Sequence, residues 1–292
     1  MNPLPAVWVV SLSLSPLELR SFPLPASALT LDDISAALPA GAYTTLRTYQ
    51  GERVIRLSDH LHRLELTAGL TGRPMTLDNE SLRAILRQAV QGYHQGMRPQ
   101  APVQDLRLRL TLDLEIHPGD LYLALQPLSV PPPEYYQRGV AAITCDLQHL
   151  LPEAKLTRFI DRSQSMRQRL TDGLNEAVMV NPQGYLLEGL SSNFFAVFQG
   201  AIWTADEGVL AGVTRSLVLE CIRRLQLPLR LQALHRTALP EAQEAFITSS
   251  SRGILPLRRI DTIAIGTECP GPLTRRLMLA FDAILQEQAE PI

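Results

Sequence analysis

The 292 residues carry 27 basic and 29 acidic side chains, and a formal net charge of −2 gives no electrostatic footing for nucleic acid or an anionic membrane as a partner. A chain this long sits where single hydrophobic cores stop growing, which favours two lobes over one. Cys145, Cys221 and Cys269 are scattered without a CxxC pair, so neither a disulfide framework nor a zinc site is indicated. No basic region precedes the N-terminal apolar stretch and no apolar run approaches the length of a membrane span, so the expectation is a soluble cytoplasmic protein with a small-molecule partner.

In chain order, alternation from Tyr43 to Leu57 around the turn-forming Gln50 and Gly51 predicts a β-hairpin. Ser58 then reads as the N-cap of a helix with Leu61, Leu64 and Ala68 on one face, and a second helix is predicted over about Glu80 to Tyr93. Strands near Asp105 to Ile116 and Leu121 to Pro127 flank the turn His117 to Asp120. Four prolines between Pro127 and Pro133 mark an extended connector, which divides the chain into a small N-terminal lobe (1–126), a linker (127–134) and a larger C-terminal lobe (135–292). That second lobe is predicted to hold a strand at Val140 to Cys145, a helix from about Asp161 to Thr171, and a meander at Glu176 to Val180, Tyr185 to Leu187 and Phe194 to Phe198. A helix from Val213 to Leu225, a strand at Ala245 to Thr248 and a helix from Leu273 to Glu287 follow. The class is α+β.

Of the 27 basic residues, 26 are arginine and Lys155 is the one lysine. An amine can lose its proton and attack an aldehyde, whereas a guanidinium keeps its charge. A pyridoxal 5'-phosphate (PLP) site needs such an amine, an acid at the pyridine nitrogen and donors for a phosphate. Glu188, closing a strand and followed by Gly189 and small hydroxyl residues including Ser191, could be the acid. Gly212, Val213 and Thr214 at a helix start, and the hydroxyl-rich run Thr248 to Ser251, could form the cradle. Arg63 could supply a permanent cation. Each signal alone has a plain reading as a strand end, a helix start, a loop or a surface arginine.

Taken together and in this order, the blocks resemble the class IV aminotransferases, the fold type IV PLP enzymes, which include branched-chain and D-amino-acid aminotransferases and aminodeoxychorismate lyase. The blocks are Tyr43 to Tyr49 with Arg56 to Leu64, Ala154 to Thr157, Leu187 to Asn193, Val209 to Arg215, and Phe246 to Pro256, spread over about Ala40 to Leu285. The resemblance implies two α/β lobes with the cofactor site between them and a homodimer. It makes Lys155 the Schiff-base lysine and the base at the substrate α-carbon, Arg63 a phosphate ligand and Glu188 the pyridine-nitrogen partner. The resemblance further implies that Leu210 lies against the ring face and that Ser191, Gly212, Val213, Thr214, Ser249 and Ser250 complete the cofactor set. The implied reaction moves an amino group between an amino acid and a 2-keto acid. Elimination of pyruvate from aminodeoxychorismate to give 4-aminobenzoate is the alternative, and a non-catalytic binding module on the same fold is a third reading. Substrate contacts are assigned to Tyr43, Arg47, Arg107, Arg109 and Arg252 without a choice among the arginines.

The sequence departs from the family where Arg158, Phe159 and Ile160 replace an asparagine, in some members followed by a tyrosine, and where no glycine follows an arginine near Thr111 to Leu114. The tryptophan, asparagine, glycine opening of some members is also missing. His60 and His62, two apart on a helix, face different ways and suggest no metal site, so His60 is expected to make a buried structural hydrogen bond. Arg107 and Arg109 alternate with leucines and are read first as a solvated strand face.

Overall fold

The computed structural model describes residues 4–96, 103–170 and 173–292. The chain divides into two units, the first formed by residues 1–129, 154–162 and 288–292 and the second by 130–153 and 163–287. The connector expected at 127–134 lies at the first change of unit. Residues 154–162 and 288–292, which the sequence reading placed in the second lobe, group with the first because their backbones pair with its strands.

Unit 1 is built on β1 (Ala6–Ser11), β2 (Arg20–Phe22), α1 (Leu31–Ala37), β3 (Gly41–Arg47), β4 (Arg53–Ile55), α2 (Leu57–Leu70), α3 (Asn79–Gly96), β5 (Leu106–Asp113) and β6 (Asp120–Pro127). Five strands form an antiparallel sheet in the order β2-β1-β6-β5-β3. Alternation in β3 and β5 sends Ala42, Leu46, Leu108 and Leu110 into a core with Leu57, Leu61 and Leu64 of α2 and Leu82, Leu86 and Ala89 of α3. On Val7, Val9, Tyr122 and Ala124 sits α1 through Leu31 and Ile34, its start closed by a capping box between Thr30 and Asp33.

Two local expectations are corrected. The turn at Gln50 and Gly51 is present, with φ of 55° and 84°, and Tyr49 and Arg53 bridge it with a mutual pair of backbone hydrogen bonds at 2.7 and 3.1 Å, but the pairing goes no further: β3 pairs with β5, and β4 pairs with the distant strand Ala289–Pro291. Ser58 is not the N-cap of α2, because the helix begins at Leu57 behind Arg56 in the left-handed conformation, φ 49°.

Unit 2 contains α4 (Pro133–Arg138), β7 (Val140–Cys145), most of α5 (Arg158–Gln168), β8 (Leu174–Val180), β9 (Leu186–Gly189), β10 (Ser192–Phe198), β11 (Ala201–Trp203), α6 (Val213–Arg224) and β12 (Leu229–Arg230). After these come β13 (Glu244–Ser249), β14 (Gly253–Ile260), β15 (Ile263–Ala264) and α7 (Pro272–Gln288). The helix expected over Asp161 to Thr171 starts three residues earlier and ends at Gln168, with Thr171 outside the described residues. The nine-stranded sheet of unit 2 runs β12-β11-β10-β13-β14-β7-β8-β9 with β15 paired to β14 off this path, and β9 pairs again with β10, which closes a ring of strands. Residues two apart, such as Val178 and Val180, Phe194 and Ala196, and Leu255 and Leu257, build its core. The run Gly253 to Ile260, to which the sequence reading assigns no element, is a strand that accommodates Pro256 opposite Phe246. No helix among the described residues is long and apolar enough to cross a membrane.

Candidate active site

In unit 1, Lys155 is positioned by backbone. The Lys155 carbonyl accepts from Tyr43 N at 2.9 Å, Thr157 N donates to the Gly41 carbonyl at 3.0 Å, and Gly41 N donates to Thr157 Oγ1 at 3.0 Å. Lys155 N donates to Thr67 Oγ1 of α2 at 3.2 Å. The segment thus adds itself to the free edge of β3, and Lys155 Nζ stands 4.7 Å from the centre of the Tyr43 ring.

Arg63 lies beside this on α2, buried, with one guanidinium nitrogen donating to Thr44 Oγ1 and, at 3.2 Å, to His60 Nδ1. His60 Nδ1 is also 2.7 Å from Thr44 Oγ1. Burial holds His60 well below its ordinary pKa, helped by the charges of Arg63 and Lys155, so the ring is neutral and Nδ1 is free to accept. Burial also pushes Arg63 down to about 10, still a cation at neutral pH. Its Nε has no hydrogen-bond partner, and among the described residues no carboxylate lies within ion-pair distance of it. A buried cation held only by neutral groups is costly unless an anion meets it. The site therefore fits a phosphate.

In unit 2, β9 and β10 are joined by the two-residue turn Leu190 and Ser191, which sets Glu188 directly opposite Asn193. Glu188 is 4% exposed. Its Oε2 accepts from Asn193 Nδ2 at 3.0 Å and its Oε1 from Leu210 N at 3.1 Å, while His149 Nε2 lies 3.6 Å from Oε1. Asn193 Nδ2 also donates to the Leu210 carbonyl at 2.9 Å. Gly212 begins α6 with no side-chain cap, which leaves first-turn N–H groups for a ligand. A Cβ on Gly212 would fall 2.2 Å from Asn193 Oδ1, so the glycine makes room for the asparagine that orients Glu188. Thr214 Oγ1 in the first turn of α6 and Ser250 Oγ in the turn after β13 come within 3.5 Å of each other, and the buried Thr248 hydroxyl has no partner. Hydroxyls and capless N–H groups are the donor chemistry a phosphate monoester requires.

The candidate substrate arginines are occupied by contacts of their own. Arg109 is buried rather than solvated: it donates to the Leu31 carbonyl at 2.8 Å and to Ser35 Oγ at 2.7 Å, pairs with Asp32 at 2.8 Å, and so anchors α1 to the sheet. Arg47 pairs with Asp105 at 3.1 Å and lies over the Tyr49 ring. Arg107 faces Arg47 across the ladder. Arg252 pairs with buried Glu176 at 2.7 Å, and Ser191 Oγ donates to the same carboxylate at 3.0 Å. Asn193, His149 and Glu176 escaped the sequence reading. Asn193 closes the Leu187 to Asn193 block, but only the cross-strand register reveals its partner.

The amino-transferase class IV family profile matches residues 41–260 of this chain. The chain belongs to the class IV aminotransferase family. Aminotransferase chemistry and the PLP cofactor expected from the sequence come with that membership. This class IV aminotransferase is 27% identical over 253 residues to a probable branched-chain-amino-acid aminotransferase of Thermotoga maritima, covering 84% of this chain and 86% of that one. It is also 27% identical over 278 residues to the D-alanine aminotransferase of Bacillus licheniformis, covering 91% and 95%. The fold matches that of the Escherichia coli branched-chain amino acid aminotransferase with a TM-score of 0.75 at 20% identity, over 99% of this chain and 97% of that one. A hypothetical aminotransferase from Mycobacterium tuberculosis in its PLP-bound form gives 0.72 at 21% identity, over 95% and 98%.

Proposed function

We propose that Lys155 carries the cofactor and moves the substrate proton in a transfer of the amino group between an amino acid and a 2-keto acid. The observation that carries this reading is the chain's one lysine fixed by its backbone to β3 and α2, within a cluster of Tyr43, Arg63 and a neutral His60. When bound, PLP supplies an electron-withdrawing ring that stabilises negative charge at the substrate α-carbon. Lys155 Nζ would take the proton from that carbon and pass it to the cofactor side instead of giving it back, so that the substrate leaves as the 2-keto acid. Arg63 binds the phosphate, its guanidinium oriented by Thr44 and His60. Gly212, Val213, Thr214, Ser249 and Ser250 supply further donors for the phosphate, and Leu210 packs on the ring. Glu188, oriented by Asn193 and the Leu210 N–H, binds the pyridine nitrogen.

The relatives' names make branched-chain amino acids and D-alanine the first donors to assay. We take the protein to act in the cytoplasm, where its three free cysteines stay reduced, and as a homodimer, as the family resemblance implies. The test is a panel of amino donors with 2-keto acid acceptors, alongside aminodeoxychorismate. Amino transfer that vanishes in Lys155→Ala, with borohydride-trapped cofactor mass on the Lys155 peptide of the wild type, supports the reading. Release of 4-aminobenzoate without any keto-acid acceptor would overturn it in favour of the elimination.

A further inference from the structure

We infer that Glu176 is a positioning residue that ties the turn between Glu188 and Asn193 to the serine loop after β13. The inference rests on the reading of Glu188 as ring partner and of Ser249 and Ser250 as phosphate ligands. Glu176 lies in β8 and is 1% exposed. Its Oε2 accepts from Ser191 Oγ at 3.0 Å, Ser192 Oγ at 2.8 Å and Arg252 Nη2 at 2.7 Å. Arg252 continues the network, donating through Nε to Ser249 Oγ at 3.0 Å and through Nη2 to Ser191 Oγ at 2.9 Å. One carboxylate therefore reaches the tips of two hairpins, β9–β10 and β13–β14, which carry those proposed ligands.

Hairpin tips are ordinarily the first parts of a sheet to open. Directional, charge-assisted bonds in a buried setting fix such tips more closely than apolar contact does. Space at this point is reserved for the carboxylate: a Cβ on Gly189 would fall 2.4 Å from Ser192 Oγ and 2.7 Å from Glu176 Cγ. Burial alone would raise the Glu176 pKa, but the charge and hydrogen bond of Arg252 and the Ser192 hydroxyl outweigh it and hold the group ionised below its ordinary value. Arg252 is the counter-ion of this lock and not the grip on a substrate carboxylate.

The experiment compares wild type, Glu176→Gln and the charge-neutral double variant Glu176→Gln/Arg252→Gln by hydrogen exchange with mass analysis and by PLP titration followed through the visible band across pH. The double variant serves where the single one, with Arg252 left uncompensated, fails to fold. Expected is faster exchange in peptides spanning 188–193 and 248–253 together, by about tenfold, the worth of one charge-assisted hydrogen bond. A peptide over 41–47 keeps its wild-type rate, PLP affinity falls by about the same factor, and the pH dependence of the band moves because Glu188 is no longer oriented. Unchanged exchange in the two peptides, or a uniform rise across the chain with PLP affinity and band unaltered in the folded fraction, overturns the lock. A wild type that takes up no PLP sinks the cofactor reading instead, and the exchange result still decides for or against the lock.

Discussion

Substituting Gly41 by alanine should damage unit 1 more than any other single methyl group added to β3. The new Cβ would stand 1.9 Å from the Leu112 carbonyl oxygen, 2.9 Å from its carbon and 3.3 Å from Asp113 Cα. All three are backbone atoms of the paired strand β5, so no rotamer change relieves the overlap, and the start of β3 must retreat by more than an ångström. Retreat carries it into Thr157, whose N–H and hydroxyl both bond Gly41 at 3.0 Å. Overpacking costs about 1–3 kcal/mol, and two strained or broken hydrogen bonds add about 1 kcal/mol each, for a total of roughly 3–5 kcal/mol. Urea denaturation measures this directly. A second readout uses the single lysine: amine-reactive labelling of Lys155, resolved from the α-amine by peptide mass, should accelerate as its backbone anchor loosens. A midpoint within about 0.5 kcal/mol of wild type together with an unchanged labelling rate would show that β3 does not hold this segment as described.

Gly92→Ala is the matching control. Gly92 is exposed in α3 with nothing within 4 Å of its would-be Cβ, so urea denaturation should show a gain of about 0.5–1 kcal/mol. Neutral His60 gives a pH signature. Its folded pKa lies well below the ordinary 6.5, so the unfolded chain binds a proton that the folded chain refuses, and stability falls as pH drops through 6.5. The contribution is about 1.4 kcal/mol per pH unit until the folded value is reached. Titrating the denaturation midpoint of wild type against His60→Asn should show this slope only in wild type. Arg63→Gln should weaken PLP binding by about 10- to 150-fold, the loss of one charged hydrogen-bonding partner. In the absence of PLP the same variant should lose little stability, because it removes a buried charge that lacks a counter-ion, and thermal shifts with and without PLP separate the two effects.

Lys155 stands out as a candidate because its type is unique in the composition, and Arg63, Glu188 and Gly212 because each sits in a short motif whose chemistry can be named. The periodic helices and the long strands of the central part were legible for the same local reason. Partners were not. The pattern from Tyr43 to Leu57 looks like two arms of a hairpin, yet the strand that pairs β4 lies more than two hundred residues further on, and nothing in alternation encodes that distance. Arg109 reads as exposed among leucines, because the sequence holds no trace of α1 covering that face with Asp32 and Ser35. The strand Gly253 to Ile260 drew no expectation from the sequence, and it tolerates Pro256 because proline costs only the bond its nitrogen would have made. Glu176 carries no motif at all, since its meaning depends on three donors that converge from later in the chain.

Because unit 1 draws on three separate stretches of chain, its assembly runs against the order of synthesis. When residue 129 leaves the ribosome, β3 still has an open edge awaiting residues 155–157, and β4 awaits 289–291. At translation rates of about 5–20 residues per second, that second gap lasts on the order of ten seconds. During that interval the nascent half-sheet offers unpaired backbone to any neighbouring chain, so crowding on polysomes bears on the yield of this protein more than its finished surface would indicate.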